Sequence, residues 1–184
     1  MIYIIAGASR SGKTLIAKQI SQTKGIPYLS LDWLVMGFTN GIPEYGLHDL
    51  LMPDDIAKRL WHFLKAMCEN MIWSEEDCII EGEAVLPELI ISLVKKHQSK
   101  LKVCFLGYTD IDVEEKVFLV KKHGGGKSDW LIDKEDAYIK NHIQNMIRFS
   151  QHIKTSCKAN NLSYFDTSKE FESALKLVAQ YIEE

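Results

Sequence analysis

Apolar residues along the chain follow two alternating patterns. Short continuous runs at Met1–Ala6, Ile26–Leu31, Cys78–Ile80, Leu101–Leu106 and Leu162–Phe165 have the length of strands buried on both faces. Between them, apolar residues recur every three or four positions, the period of an amphipathic helix. Leu15, Ile16, Ala17 and Ile20 mark a helix over Lys13–Thr23, closed by Gly25. Ile56, Leu60, Phe63/Leu64, Met67 and Met71 mark a second, capped by Asp54 or Asp55. Pro87 opens a third through Leu89, Ile90, Leu93 and Val94, and Thr109/Asp110 cap a fourth with Val113, Val117 and Val120. Asp133 caps a long helix carrying Ile139, Ile143, Met146/Ile147, Ile153 and Cys157, and Phe171, Leu175, Val178 and Ile182 mark the last. The stretch from Asp32 to Pro53 breaks the pattern. It is rich in Gly, Pro and aromatics, shows little periodicity, and is long for a plain connection, which favours a functional segment.

Strands alternating with helices predict a layered α/β fold, because each parallel crossover must be covered by a helix. A chain of 184 residues suits a single domain, and 46% hydrophobic residues suffice for its core. No apolar run reaches the ~20 residues needed to span a bilayer, so no membrane segment is expected. The start at Met1 lacks a basic stretch and leads straight into a motif that cleavage would destroy, which argues against a signal peptide. Cys68, Cys78, Cys104 and Cys157 are widely spaced without a CxxC pair and read as reduced thiols in a soluble cytoplasmic protein. A net charge of -3 offers no general attraction to nucleic acid.

The chemistry begins at Gly7-Ala8-Ser9-Arg10-Ser11-Gly12-Lys13-Thr14. The pattern GxxxxGK[ST] needs small residues so that successive backbone N–H groups can point at a β-phosphate. Lys13 then reaches the β/γ oxygens and the Thr14 hydroxyl ligates Mg²⁺. The following helix adds the positive end of its dipole. Placement between a buried strand and a helix is the context this motif requires, so a nucleoside triphosphate is the expected ligand.

Acids at two strand ends can complete such a site. Asp32 follows the second strand and Glu81 the third, on the side where the loop lies if all three strands are parallel. Asp32 is a candidate general base for a substrate hydroxyl, or a helix cap. Glu81 is a candidate to orient Mg²⁺ through water, or to act as the base itself. The loop Lys121–Trp130 combines three glycines with Lys121, Lys122 and Lys127, as in a closing lid or a solvated basic turn. Lys140, Gln144 and Arg148 share one helix face, and Arg148 either reaches the transferring phosphoryl group or forms a surface ion pair.

Together these residues resemble the small-molecule and nucleoside-monophosphate kinase branch of P-loop proteins, including the adenylate-, shikimate- and gluconate-kinase-like groups. The likeness covers nearly the whole chain: GASRSGKT, Asp32, the lid-like segment, and Asp166-Thr167-Ser168 after the last strand. Ile79-Ile80-Glu81-Gly82 with Pro87 downstream is also similar to 2-phosphoglycerate-kinase-like proteins. The resemblance implies a five-stranded parallel sheet in order 2-3-1-4-5 within one P-loop domain spanning residues 1–184. It implies an acceptor-binding segment at about 32–74, a lid at about 121–132, ATP and Mg²⁺ as cofactors, and adenine near Asp166–Ser168. It leaves a monomer or a homodimer open.

One departure narrows the acceptor. Nucleoside-monophosphate kinases grip two sets of phosphates with several arginines, whereas this chain has only Arg10, Arg59 and Arg148. Glu81-Gly82-Glu83-Ala84 stands where adenylate kinases carry Asp-Gly-Phe-Pro-Arg, and Glu83 would repel an anion. The expectation is ATP-dependent transfer of the γ-phosphoryl group to a hydroxyl of a small, weakly charged molecule. The alternatives are a regulatory nucleotide-binding protein without kinase activity, or a nucleoside-monophosphate kinase.

Overall fold

Five strands form one all-parallel sheet. β1 (Ile2–Gly7) lies at its centre between β3 (Cys78–Gly82) and β4 (Leu101–Gly107). β2 (Tyr28–Ser30) and β5 (Ser163–Asp166) form the edges, in the order β2-β3-β1-β4-β5. The computed structural model describes residues 1–124 and 129–184. Among these residues seven α-helices connect and cover the strands: α1 (Lys13–Lys24), α2 (Leu31–Gly41), α3 (Pro53–Trp73), α4 (Pro87–Lys96), α5 (Val113–His123), α6 (Asp136–Asn160) and α7 (Phe171–Glu183).

Side chains of successive strand residues point to opposite faces, and the core divides accordingly. On one face Ile5, Ile79, Cys104 and Leu106 pack against Ile16 and Ile20 of α1 and Val178 and Ile182 of α7. On the other, Ile4, Ile80, Val103 and Phe105 meet Leu60 and Leu64 of α3, Ile90 of α4 and Ile153 of α6. A smaller cluster joins Ala8 and Tyr108 to Val117 and Val120 of α5 and to Ile139 and Ile143 of α6. This third cluster seats α5 and α6 beside the loop that follows β1. Among the described residues, no helix is long and apolar enough to cross a membrane.

Several expectations from the pattern are corrected. The stretch after β2 is not irregular: Leu31–Gly41 is helix, followed by a 3-10 turn at Pro43–Tyr45. Leu31 and Val35 are buried and Leu34 and Phe38 pack on the core. Tertiary burial of that stripe therefore overrides the weak helix propensity of Gly37, Thr39, Asn40 and Gly41. β2 is shorter than Ile26–Leu31 because Leu31 already belongs to α2.

Helix α3 starts two or three residues early, with Met52 at its N-cap and Pro53 in its first turn. Asp54 and Asp55 lie inside that turn, where their charge suits the helix dipole. The cap of α5 is Asp112, not Thr109 or Asp110; its carboxylate accepts the N–H groups of Glu114 and Glu115 at 2.8 and 3.1 Å. Glu135 rather than Asp133 precedes α6. The basic loop expected from Lys121 begins later, since Lys121, Lys122 and His123 form the last turn of α5. Lys121 pairs there with Asp136 at 2.5 Å. Lys127, the remaining lysine of that expectation, lies outside the described residues.

Candidate active site

The glycine loop leaves β1 where β1 and β4 run side by side, with Gly7 opposite Leu106. Gly7 has φ +123°, and a Cβ there would lie 1.9 Å from the Leu106 carbonyl oxygen. Only glycine tolerates both the angle and the approach. The Ala8 N–H donates to the same Leu106 oxygen at 3.0 Å, tying the loop to β4. Gly12, with φ +93°, caps α1, and among the described residues no side chain bonds the first N–H groups of that helix. They are left for an anion.

Lys13 is buried, and its ammonium donates to the Ala8 carbonyl at 2.6 Å, lying back across the loop. The Ser11 hydroxyl is buried in the same loop, with no hydrogen-bond partner among the described residues. Thr14 Oγ1 donates to Glu81 Oε2 at 3.2 Å. Glu81 is only 2% exposed and lies one step short of the end of β3; parallel register explains the meeting, since it pairs with Ile5 in β1 and with Ser30, the last residue of β2. The structure thus brings Lys13, Thr14 and Glu81 together.

Asp32 stands exposed in the first turn of α2, and among the described residues no hydrogen bond or ion pair engages it. Its charge is felt by Glu83, two residues past Glu81. Burial pushes the Glu83 carboxyl up and the Asp32 charge adds to this, while Lys13, a hydrogen bond from Ser9 and Arg10 pull it down. Glu83 therefore belongs to the same site, a point the sequence marked only as a repulsive charge nearby.

Arg10 contributes backbone to the loop but sends its side chain elsewhere. Its two terminal nitrogens pair with the Asp129 carboxylate at 2.9 and 2.5 Å. Its carbonyl accepts the Lys116 ammonium at 3.0 Å. Neither Lys116 nor Asp129 was anticipated. The available signal for Lys116 was its place among Val113, Val117 and Val120, on the apolar face of its helix.

Two expected residues lie apart from this group. Arg148 is exposed on α6, where its guanidinium donates to Asn145 at 3.4 Å and, among the described residues, makes no ion pair. Asp166 ends β5, and its carboxylate accepts Thr109 Oγ1 and Ser168 Oγ, both at 2.5 Å, and Lys154 Nζ at 2.9 Å. Burial opposes its ionisation, but hydrogen bonds from Ser168, Thr109 and Lys154 outweigh it and hold the carboxyl down at about 2. The side chain joins the β4 and β5 ends to α6.

No protein-family model matches the chain, and no curated protein sequence does. Solved structures do match. The shikimate kinase of Bacteroides thetaiotaomicron superposes with a TM-score of 0.58 at 16% identity, over 100% of this chain and 99% of its own. A gluconokinase from Sinorhizobium meliloti gives 0.55 at 16% identity over 98% and 94%. The deoxyadenosine kinase of M. mycoides gives 0.51 at 16% over 100% and 99%. The chain has the P-loop kinase fold. Within that fold the Gly7–Thr14 loop, Asp32, Glu81 and Glu83 all stand at the C-terminal ends of parallel strands, where ligands of open α/β sheets bind.

Proposed function

We propose that the protein is an ATP-dependent phosphotransferase that moves the γ-phosphoryl group to a hydroxyl of a small neutral or positively charged acceptor. The exposed Asp32, which has no hydrogen bond or ion pair among the described residues and lies near Glu83 and the phosphate loop, carries this reading. A nucleotide-binding switch has no evident use for a free carboxylate there, whereas a base for an incoming hydroxyl must be unencumbered.

The loop fits a nucleoside triphosphate with Mg²⁺. Gly7 and Gly12 open the cradle, no side chain among the described residues caps the first N–H groups of α1, and Thr14 with Glu81 forms a hydroxyl–carboxylate pair suited to a hydrated Mg²⁺. Bound there, ATP with Mg²⁺ supplies the phosphoryl group and offsets its charge. Lys13 swings from the Ala8 carbonyl to the β/γ oxygens. Thr14, through its hydroxyl, and Glu81, through water, would hold the metal. Asp32 takes the proton of the acceptor hydroxyl as its oxygen attacks phosphorus and ADP leaves. The turn at Asp166–Ser168 would face adenine through backbone groups, its carboxylate being engaged already.

The acceptor side, residues 32–74, indicates what is transferred to. Between Lys24 and Lys58 the chain has no lysine or arginine. Arg59 donates to the Gly46 carbonyl and Arg10 is paired with Asp129. Among the described residues, neither arginine is free to fork onto a second phosphate, which favours an acceptor other than a nucleoside monophosphate. Exposed Trp33, Met36 and Tyr45 would contact a ring or an apolar body.

Acceptor-dependent ADP release tests the reading. Deoxyadenosine, amino sugars and hydroxy amines should stimulate release more than shikimate or gluconate, and Asp32→Asn should remove the stimulation while ATP still binds. Tight ATP binding with no stimulation by any acceptor would refute it.

A further inference from the structure

Lys116 is a buried charge that phosphoryl transfer as described leaves unused. It is 5% exposed on α5, and among the described residues no carboxylate pairs with it. Its ammonium lies 4.1 Å from the centre of the Tyr108 ring and donates to the Arg10 carbonyl. Methionine would fill such a place without the cost of desolvating an ion. The charge is explained by what it holds.

Arg10 has φ +60°, a left-handed conformation that a residue with a Cβ disfavours. Its conformation is imposed from both sides, by Asp129 on the guanidinium and by Lys116 on the carbonyl. In a trans peptide the carbonyl and the next N–H point in opposite directions. The ammonium that fixes the Arg10 carbonyl therefore aims the Ser11 N–H away from α5. We propose that Lys116 is a positioning residue of the phosphate loop: it presets the Arg10–Ser11 peptide for a nucleotide phosphate, and its charge tunes nucleotide affinity. This rests on nucleotide binding by Gly7–Thr14 and not on the identity of the acceptor.

Burial, with the Arg10 charge added, pulls the Lys116 ammonium down to about 8. Burial pushes the Glu83 carboxyl up, and Glu83 feels Arg10 and is felt by Tyr108. Glu83 is kept when Lys116 is replaced, so a pH response lost with Lys116 belongs to Lys116. The Tyr108 phenol is pushed far up by burial, and His142 of α6, close enough to feel Arg10, is pushed down to about 4, again mainly by burial. The Asp129 carboxylate is engaged by Arg10. As pH rises through 8, Lys116 loses its charge and its grip on the Arg10 carbonyl weakens. By linkage, a bound polyphosphate that favours the charged lysine raises its pKa, so binding near pH 8 takes up a proton.

Calorimetric titration of the full chain with Mg·ADP decides the matter. For the natural protein, Kd should rise about tenfold between about pH 7.5 and 9.5, with proton uptake near pH 8 seen in buffers of different ionisation enthalpy. Lys116→Arg should bind with no such rise and no uptake in that range. Lys116→Met should bind about tenfold more weakly near pH 7.5, with a flat profile. Natural protein that binds Mg·ADP without proton uptake overturns the proposal, as does a Lys116→Met variant of unchanged affinity and pH profile. Should Lys116→Met fail to fold, the natural protein and Lys116→Arg still decide it. Failure of the natural protein to bind either ADP or ATP would instead remove the nucleotide-binding reading itself.

Discussion

Arg10 and Asp129, 119 positions apart, form a two-pronged ion pair with N–O distances of 2.9 and 2.5 Å. Asp129 is nearly buried and Arg10 about one-fifth exposed, at 6% and 22%. Parallel N–H···O bonds of this kind are the stronger sort of charged contact. Breaking a buried pair from one side typically costs ~3–5 kcal/mol, and the exposure of Arg10 reduces that here to about 2 kcal/mol. Asp129→Ala should therefore lower the thermal midpoint by roughly 4–8 °C and weaken nucleotide binding along with it. An unchanged midpoint in calorimetry would show that the pair does not hold the loop.

Two glycines should respond in opposite ways to alanine. At Gly7 the new Cβ would meet backbone, the Leu106 carbonyl oxygen, at 1.9 Å, and φ is +123°. Gly7→Ala should cost about 4 kcal/mol or more, or prevent folding. At Gly37, inside α2, a Cβ meets nothing within 4 Å. Gly37→Ala should stabilise by about 0.5–1 kcal/mol by restricting the unfolded chain. Urea denaturation of both variants checks the contrast; a destabilised Gly37→Ala would mean that α2 is not helical there.

Glu81→Gln keeps an oxygen for the Thr14 hydroxyl and removes the charge. Thermal stability should hold within about 1 kcal/mol, while acceptor-dependent turnover falls on the order of 100-fold and needs more Mg²⁺. Turnover at the natural rate in a Mg²⁺ titration would leave the Thr14–Glu81 pair a purely structural contact.

Asp166 predicts a pH dependence of stability. Its carboxyl lies at about 2 in the folded protein against an ordinary 3.8, so the folded state favours the ionised form. That contribution, on the order of 2 kcal/mol, is present above about pH 4 and is lost as pH falls through about 2. In acid denaturation Asp166→Asn should begin less stable near neutrality and converge with the natural protein towards about pH 2. Parallel curves at every pH would show that the hydrogen bonds from Thr109, Ser168 and Lys154 do not favour the carboxylate.

Much of the fold and the centre of the site are legible in the sequence because their signals are local. Hydrophobic period distinguishes strand from helix within a few residues. GASRSGKT specifies a loop in which glycines, a lysine and a threonine stand within eight consecutive positions. Glu81 could be placed because a buried run ending in an acid already implies a carboxylate at a strand tip. The helix at Leu31–Gly41 was not legible, since two glycines mask a stripe that becomes evident only when Leu31 and Val35 are buried.

What the sequence by itself determined is the order of elements and the phosphate loop, both written in short-range periodicity and spacing. Tertiary structure alone decided what surrounds the loop. It turned the Arg10 side chain to Asp129, set the Lys116 ammonium against the Arg10 carbonyl, and brought Glu83 within the field of Asp32 and Lys13. Each of these contacts joins residues from different strand–helix units. The physical reason is that such pairing is fixed by parallel register and by how α5 and α6 pack, and neither leaves a local trace in composition or period.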